Sequence, residues 1–185
     1  MNRLKTLLFL VFFIFTFFLA NAMSLQEQNS IRLMSYNIRN ARGMDNVTNY
    51  QRVVDVINSA KPDIIAIQEL DSVTNRSNGS DVLDVLSRNT FMYPSYAAAI
   101  NYDGGKYGVG ILSKEKPLSV KRVALPGREE ARILLIVELG SYYFGCTHLS
   151  LNAEDRLQSV EAIKREAKKL DKPFCRGYEF NTRFT

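Results

Sequence analysis

Residues 61–70 read KPDIIAIQEL, and this stretch decides the fold. The run of residues 63–69 is short and nearly continuously apolar, which is typical of a strand covered on both faces. Pro62 marks the end of a preceding helix, because the residue before a proline resists helical backbone geometry. The stretch therefore predicts a helix that ends at Lys61 and a buried strand that follows it directly.

The segment before this stretch predicts that helix and one further strand. Residues 31–38 form a strand-like run, and Thr48 with Gln51 gives a capping-box pattern at the start of the helix. Strand, helix and strand in this order predict a right-handed crossover connection. Four apolar side chains at i, i+3, i+4 and i+7 share one helical face: Tyr50, Val53, Val54 and Ile57.

The rest of the chain mixes helices with hairpins. Ser80 is expected to cap a second helix that runs through Asn89, and Asn152 a third that runs from about residue 153 to residue 170. Residues 93–99 are ambiguous. Strands are predicted at residues 107–112, 118–125, 132–139 and 142–148, with turns at 104–105 and 140–141. The inward positions are Val82, Leu83 and Leu86 in the second helix and Leu157, Val160, Ile163, Ala167 and Leu170 in the third. This mixture predicts an α/β fold of the mixed α+β kind, with a mixed sheet layered by helices.

The N-terminus has the pattern of a secretory signal peptide. Arg3 and Lys5 precede an apolar run from Leu7 to Leu19, and small residues at 20–22 supply a cleavage site. The run is shorter than the roughly 20 residues that span a bilayer, which favours a cleaved signal over a membrane anchor. We therefore predict a signal peptide at 1–22, a leader at 23–30 and one domain at 31–185. The protein would be secreted or periplasmic, with no stable membrane insertion after cleavage.

Charge and cysteine content set few limits on function. The net charge is +5 at pH 7, and it becomes milder once Arg3 and Lys5 leave with the signal. Such an excess permits a polyanionic substrate but does not by itself indicate one. Export makes a disulfide possible, yet Cys146 lies in an apolar strand-like run, and we expect Cys146 and Cys175 to be free thiols. We also expect a monomer.

Three polar residues each end an apolar strand-like run: Asn37, Glu69 and His148. In layered α/β sheets, ligands bind outside the carboxyl ends of strands, where a rigid sheet holds the side chains. Taken singly, each residue has an ordinary explanation as a turn, a solvated strand end or a surface histidine. Taken together, they predict a cavity in which a carboxylate, an amide and an imidazole converge.

The short sequence motifs around these residues resemble those of a known family. Residues 35–38 (SYNI), 67–70 (IQEL), 107–113 (YGVGILS) and 147–149 (THL) occur in the order of the signature segments of the endonuclease/exonuclease/phosphatase family. This family includes DNase I-like nucleases and several phospholipid phosphoesterases. The resemblance implies a DNase I-like layered β-sandwich with flanking helices. It also implies a hydrolase of phosphodiester or phosphomonoester bonds that uses Mg²⁺ or Mn²⁺.

The resemblance implies roles for individual residues. Glu69 and Asn37 match the metal centre, and Asn37 and His148 match catalytic positions. Tyr107 and Arg132 match substrate-binding positions. For Arg132, an edge-strand charge or a structural salt bridge is an alternative.

The resemblance also implies a later strand ending in Gly-Asp-x-Asn and a final Ser-Asp-His. Residues 172–181 keep Gly177, but an extra Tyr178 precedes Glu179, which stands in the place of the Asp, and Asn181 follows. A one-residue shift reverses the faces of a strand. His148 is the only histidine, so the final motif has no counterpart. We therefore expect a family member that is incomplete at its C-terminal end.

Several alternatives stay open at this point. The chain could be a secreted phosphoesterase, a catalytically inactive truncated member, or an exported binding module without enzymatic activity. The substrate could be nucleic acid, a phospholipid head group or a small phosphate ester. In the active case, Glu179 would act as a catalytic residue and Asn181 would contact the substrate.

Overall fold

Two four-stranded sheets carry the fold in the computed structural model, which describes residues 30–179. The first sheet contains β1 (Leu33–Asn37), β2 (Ile64–Ser72), β3 (Tyr93–Tyr102) and β4 (Gly105–Ser113). The second contains β5 (Ser119–Leu125), β6 (Arg132–Glu138), β7 (Tyr143–His148) and β8 (Phe174–Glu179). The described residues also form the helices α1 (Tyr50–Ala60), α2 (Val82–Thr90) and α3 (Ala153–Ala167). The predicted mixed α/β class is confirmed.

The apolar run after Pro62 forms β2, an interior strand of the first sheet, whose order is β1-β2-β4-β3. It pairs parallel with β1 and antiparallel with β4. Its residues from Ile64 to Gln68 are fully buried, because helices cover one face of the sheet and the second sheet covers the other. Burial on both faces explains why the run lacks the alternation of a half-exposed strand.

Three apolar layers separate the helices and the sheets. Between α1, α2 and the first sheet, the core includes Val53, Val54, Ile57, Ile65, Ile67, Leu83, Leu86 and Leu112. Between the two sheets it includes Ile64, Ala66, Val109, Ile111, Leu135, Val137, Phe144 and Cys146. Between the second sheet and α3 it includes Leu125, Leu134, Ile136, Leu149 and Ile163. The layers therefore follow the order helix, sheet, sheet, helix.

Cys146 and Cys175 are both free thiols, as predicted.

Two of the predicted helix caps are wrong by one residue. The side chain of Asn49, not Thr48, accepts the backbone N–H three residues further on, at 3.2 Å. In the second helix Asp81, not Ser80, does the same at 3.2 Å. Asn and Asp cap helices at least as well as Thr and Ser, so adjacent candidates cannot be separated by type alone. Asn152 caps α3 as predicted.

The buried face of α3 differs from the predicted apolar stripe. Leu157 is 69% exposed, whereas Asp155, Ser159 and Ile163 are buried at spacings of one turn. Compared with the predicted orientation, α3 is turned about its own axis, because Arg128 from the loop before β6 binds the carboxylate of Asp155. A polar contact therefore sets the orientation that apolar periodicity was expected to set. The helix also ends at residue 167 instead of about residue 170.

Two tight turns connect neighbouring antiparallel strands. Residues 93–99, which the sequence left ambiguous, belong to β3, and β3 returns as β4 through Asp103 and Gly104. Both turn residues have positive φ, 46° and 79°, as a tight two-residue hairpin turn requires. The predicted turn at 140–141 is confirmed, with the Leu139 N–H donating to the Tyr142 carbonyl at 2.9 Å.

The predicted signal peptide at 1–22 and residues 23–29 of the leader lie outside the described residues. Among residues 30–179, no helix is both long and apolar enough to cross a membrane.

The two leucine environments give a direct test of this packing. Leu135 is fully buried between the sheets, so we expect Leu135→Ala to lower the free energy of unfolding by about 2–5 kcal/mol. The same change at the exposed Leu157 should cost less than about 0.5 kcal/mol. Urea unfolding of both variants measures this. Equal losses would show that the stripe predicted from the sequence, not the observed face of α3, packs on the sheet.

Candidate active site

Asn37 and Glu69 meet at the carboxyl ends of two parallel strands. β1 and β2 pair so that Asn37 lies opposite Gln68, which leaves Glu69 one position further along. The side-chain amide of Asn37 donates from Nδ2 to Glu69 Oε1 at 2.7 Å. The structure thus joins two of the predicted site residues, which are 32 positions apart in the chain, by a direct hydrogen bond.

A β-bulge presents Glu69. Ile67 pairs with Gly110 of β4 and Leu70 with Gly108, so β2 carries one extra residue between these pairs. Glu69 has a φ of 56°, in the left-handed region that non-glycine residues seldom adopt. Bulges of this kind redirect a side chain, and they are frequent beside active sites. The bulge turns the carboxylate out of a strand that is otherwise buried.

A left-handed turn after β1 fixes the amide of Asn37. Its residues, Arg39–Ala41, have φ angles of 48°, 52° and 54°. The backbone N–H of Arg39 donates to Asn37 Oδ1 at 2.9 Å. Since the carbonyl oxygen of the amide is engaged there, its Nδ2 group faces Glu69. The turn therefore fixes the orientation of the amide that holds the carboxylate.

Glu69 opens into a cleft of about 530 Å³. The lining includes two carboxylates, three arginines and two tyrosines: Glu69, Glu130, Arg39, Arg42, Arg76, Tyr102 and Tyr107. Arg39 and Arg42 are exposed, and neither forms an ion pair within the part of the chain that the structure describes. The cleft therefore combines an available carboxylate with available positive charge.

Tyr107 lies half-buried in this cleft. Burial raises the pKa of its phenol well above the ordinary value, and the nearby carboxylates of Glu69 and Glu130 raise it further. The phenol therefore stays neutral at physiological pH and keeps a proton to donate.

His148 lies beside the cleft and not in it. It lines a small adjoining cavity of about 10 Å³ together with Tyr107, Glu130 and Arg132. Tyr107 and Glu130 line both spaces. The predicted convergence of His148 with Asn37 and Glu69 in one cavity stays a prediction. Glu69 belongs to the first sheet and His148 to the second, and Tyr107 with Glu130 lies between their cavities.

Arg132 is buried at the start of β6. Its Nη1 contacts Glu130 Oε1 at 2.7 Å, and its Nη2 lies 3.6 Å from Glu129 Oε1. The alternative of an edge-strand charge is wrong, because β6 lies between β5 and β7. A salt bridge is present, and the predicted contact of Arg132 with substrate stays a prediction.

Sequence reasoning missed the ion pair between Asp71 and Arg76. Asp71 is a fully buried residue of β2. Both of its oxygens accept from Arg76 at 2.7 Å, and Thr74 donates to it at 2.9 Å. The Arg76 guanidinium lies 4.4 Å from the ring centre of Tyr102 and 5.5 Å from that of Tyr107. The available signal was an acid directly after the apolar run of residues 63–70 and a base five positions later.

The predicted site residues near the end of the chain are only partly described. Glu179 pairs with His148 in the backbone register of β7 and β8, and Asn181 lies outside the described residues. Gly177 contacts the first sheet so closely that a Cβ atom there would lie 2.6 Å from Cβ of Ala66. The roles of Glu179 and Asn181 stay predictions.

Two sets of contacts connect the loop before β6 with the residues that follow β7 and begin α3. The carboxylate of Glu129 accepts from the Ser150 hydroxyl at 2.5 Å and from the Leu151 N–H at 2.7 Å. Arg128 and Asp155 form a second tie, with Nη2 and Oδ1 at 2.9 Å. The hydroxyl of Ser150, with the backbone N–H of Leu151 and the charge of Arg132, lowers the pKa of Glu129 to about 2.

Comparisons with known proteins agree with this architecture. Residues 34–175 match the model of the Endonuclease/Exonuclease/phosphatase family. No curated protein sequence matches the chain. A mannosyl-6-phosphatase from Bacteroides thetaiotaomicron is 17% identical with a TM-score of 0.62, over 82% of this chain and 66% of that one. D. rerio TDP2 in complex with a single-strand DNA product is 16% identical with a TM-score of 0.64, over 83% of this chain and 61% of that one.

A family protein from Beutenbergia cavernae is 19% identical with a TM-score of 0.57, over 72% of this chain and 43% of that one. The chain thus spans less than two thirds of the length of each of these structures. At such identities the likeness concerns the fold, and it confirms the predicted DNase I-like layered sandwich.

The lowered pKa of Glu129 predicts a specific acid response. A carboxyl group whose folded pKa lies below its ordinary value of 4.5 stabilises the fold above that value. This contribution is lost as the pH falls from 4.5 towards 2. We therefore expect the midpoint of urea unfolding to fall less steeply with decreasing pH for Glu129→Gln than for wild type. The difference should be small, because the side chain is partly exposed.

Ser150→Ala removes the main cause of the lowered pKa and should flatten the acid response in the same way. Identical midpoint curves for wild type and both variants would contradict a stabilising role for the Glu129 contacts.

Proposed function

Because this chain belongs to the endonuclease/exonuclease/phosphatase family, we propose that it is a divalent-metal-dependent hydrolase of phosphoester bonds. The observation that carries the proposal is the Asn37–Glu69 pair, in which a bulge turns a carboxylate into a cleft and an amide fixes it. Glu69 makes its hydrogen bond to a neutral amide, and it forms no ion pair with any other described residue. Its negative charge is therefore available to a cation.

The donor set suits Mg²⁺ or Mn²⁺. These cations prefer oxygen ligands, and Mg²⁺ often takes only one or two carboxylates and completes its shell with water and substrate oxygens. Among the side chains that the structure describes, no three of His, Cys, Asp or Glu come together as a metal-binding group. Glu69 would hold the ion, and Asn37 would orient the carboxylate. When bound, the ion would neutralise charge on the phosphoryl oxygens.

The remaining residues of the cleft suit an anionic substrate. Arg39 and Arg42 supply positive charge, which attracts a phosphoester. The neutral phenol of Tyr107 has a proton to donate to a phosphoryl oxygen. His148, in the adjoining cavity, would hydrogen-bond the phosphate or assist the leaving group. Imidazole is suited to this role because its ordinary pKa lies near neutrality.

The proposal extends to location and substrate class. The basic start, the apolar run and the small residues at 20–22 support export to the periplasm or the exterior. Among the structural neighbours, one is a mannosyl-6-phosphatase and another is bound to a single-strand DNA product. Both a sugar phosphate and a nucleic acid are therefore candidate substrates, and a phospholipid head group is a third.

Substitution of Glu69 tests the proposal. With bis(p-nitrophenyl) phosphate as substrate, we expect activity that requires added Mg²⁺ or Mn²⁺ and disappears in EDTA. Glu69→Gln should lower kcat/KM at least about 100-fold, because a carboxylate ligand is lost, and Asn37→Ala about 10- to 100-fold, because the ligand loses its orientation.

Glu161→Gln is the matched control, since Glu161 lies on α3, where it pairs with Lys164. It should leave kcat/KM and the metal requirement unchanged. Mn²⁺ binding, followed by electron paramagnetic resonance, should weaken in Glu69→Gln and stay unchanged in Glu161→Gln. Full activity in chelator, or a Glu69→Gln variant as active as wild type, would rule out the proposed centre.

A further inference from the structure

Tyr102 is an exposed ring that is nevertheless held firmly. It lies at the end of β3 and lines the cleft, with 40% of its surface exposed. The Arg76 guanidinium covers it at 4.4 Å from the ring centre, and Arg76 Nη1 donates to its hydroxyl at 3.2 Å. The ring of Tyr107 lies 5.9 Å away, tilted by 49°. An exposed tyrosine with these contacts has little rotational freedom left to lose on binding a ligand.

The rigidity of Tyr102 originates in the core. Arg76 is held in a two-point ion pair by Asp71, which is itself fully buried. The backbone N–H of Arg76 also donates to Asp103, the first residue of the hairpin turn that follows Tyr102, at 2.7 Å. A buried carboxylate and the hairpin turn therefore fix the planar guanidinium and the ring as one unit. We call Arg76 and Tyr102 the stacking pair.

Most of the polar groups of the stacking pair are already engaged, including three of the five N–H donors of Arg76. Nε and Nη2 of Arg76 donate to Asp71, and its Nη1 donates to the hydroxyl of Tyr102. What remains for a ligand is one N–H on each terminal nitrogen of Arg76 together with the planar surfaces of the ring and the guanidinium. A sugar is recognised by directional hydrogen bonds to its hydroxyls, which this pair offers poorly. A nucleobase is recognised by stacking on aromatic rings and guanidinium planes.

The position of the stacking pair relates it to the proposed chemistry. Tyr102, Arg76 and Glu69 line the same cleft, whose volume of about 530 Å³ exceeds what one phosphate group requires. A base that stacks on the pair would belong to the nucleotide whose phosphate reaches the cation that Glu69 would hold.

Building on the proposed hydrolase function, we propose that Arg76 and Tyr102 form a base-stacking subsite, so that the substrate is a nucleotide ester or a single strand with an unstacked base. Recognition by stacking tolerates any base, because every base has a π face. Asp71 is a positioning residue for this subsite, since it contacts Arg76 and not the ligand.

The kinetic test compares two substrates that share a leaving group. The p-nitrophenyl ester of thymidine 5′-monophosphate carries a base, and methyl p-nitrophenyl phosphate does not. We expect wild type to prefer the first in kcat/KM. Tyr102→Leu should reduce this preference roughly 5- to 100-fold, the range of one lost base stack, while Tyr102→Phe should keep most of it.

Tyr93→Leu is the matched control, because Tyr93 is an exposed tyrosine at the opposite end of β3 and does not line the cleft. It should keep the wild-type preference. An unchanged preference in Tyr102→Leu, or an equal reduction in Tyr93→Leu, would overturn the subsite.

A binding measurement separates this inference from the proposed function. In EDTA, where no hydrolysis is expected, fluorescence anisotropy compares a labelled six-nucleotide thymidine strand with an abasic strand of equal length. We expect tighter binding of the thymidine strand, and we expect Tyr102→Leu to remove the difference. Equal affinities for the two strands would reject base stacking even if hydrolysis is found. A stacking difference without any hydrolysis would retain the subsite and reject the proposed enzyme.

Discussion

The extra residue in β2 at Glu69 is the constraint on which the candidate site depends. A strand covered on both faces has no room for an unpaired carboxylate, because burial of such a charge is strongly unfavourable. The bulge resolves this conflict by giving Glu69 a left-handed backbone, at a cost of about 1–2 kcal/mol for a residue with a side chain. The Asn37 hydrogen bond and the Ile38 N–H, which donates to the Gln68 carbonyl at 3.2 Å, offset part of that cost. The residue with the strained backbone, Glu69, is therefore also the proposed metal ligand.

The neighbour of Glu69 couples this site to the second sheet. Gln68 is fully buried between the sheets, with its Nε2 at 3.2 Å from Ser35 Oγ and 3.7 Å from Cys146 Sγ. Burial raises the pKa of the Cys146 thiol to about 12, so it stays a neutral packing group. His148 follows two positions later on the same strand. The packing that buries Gln68 therefore also sets where His148 lies relative to Glu69, although no disulfide or strand pairing between described residues joins the two sheets.

The elements that the sequence predicted are those in which local pattern and tertiary packing agree. The run after Pro62 and the two-residue turn at 140–141 carry their own signals, in apolar continuity and in glycine. What could not be predicted depends on contacts between distant residues. No side-chain pattern marks the left-handed backbone of Glu69, since glycine is the usual signal for it. The rotation of α3, which exposes Leu157, follows from an ion pair to Asp155 that periodicity does not encode.

The distribution of charge explains why the cleft suits a cation and an anion together. Glu130 is neutralised by Arg132, and Asp71 by Arg76, so these pairs contribute little net charge to the cleft. Within the described residues, Glu69 keeps an uncompensated negative charge. Arg39, in the left-handed turn, and Arg42, directly after it, keep positive charge that no described residue compensates at the same cleft. Either charge alone would attract only one kind of ligand, whereas a phosphoester with a divalent cation satisfies both. The two strained segments, at Glu69 and after Asn37, place these opposite charges on one cleft. Backbone strain is often retained where it positions functional groups, and this placement is consistent with that role.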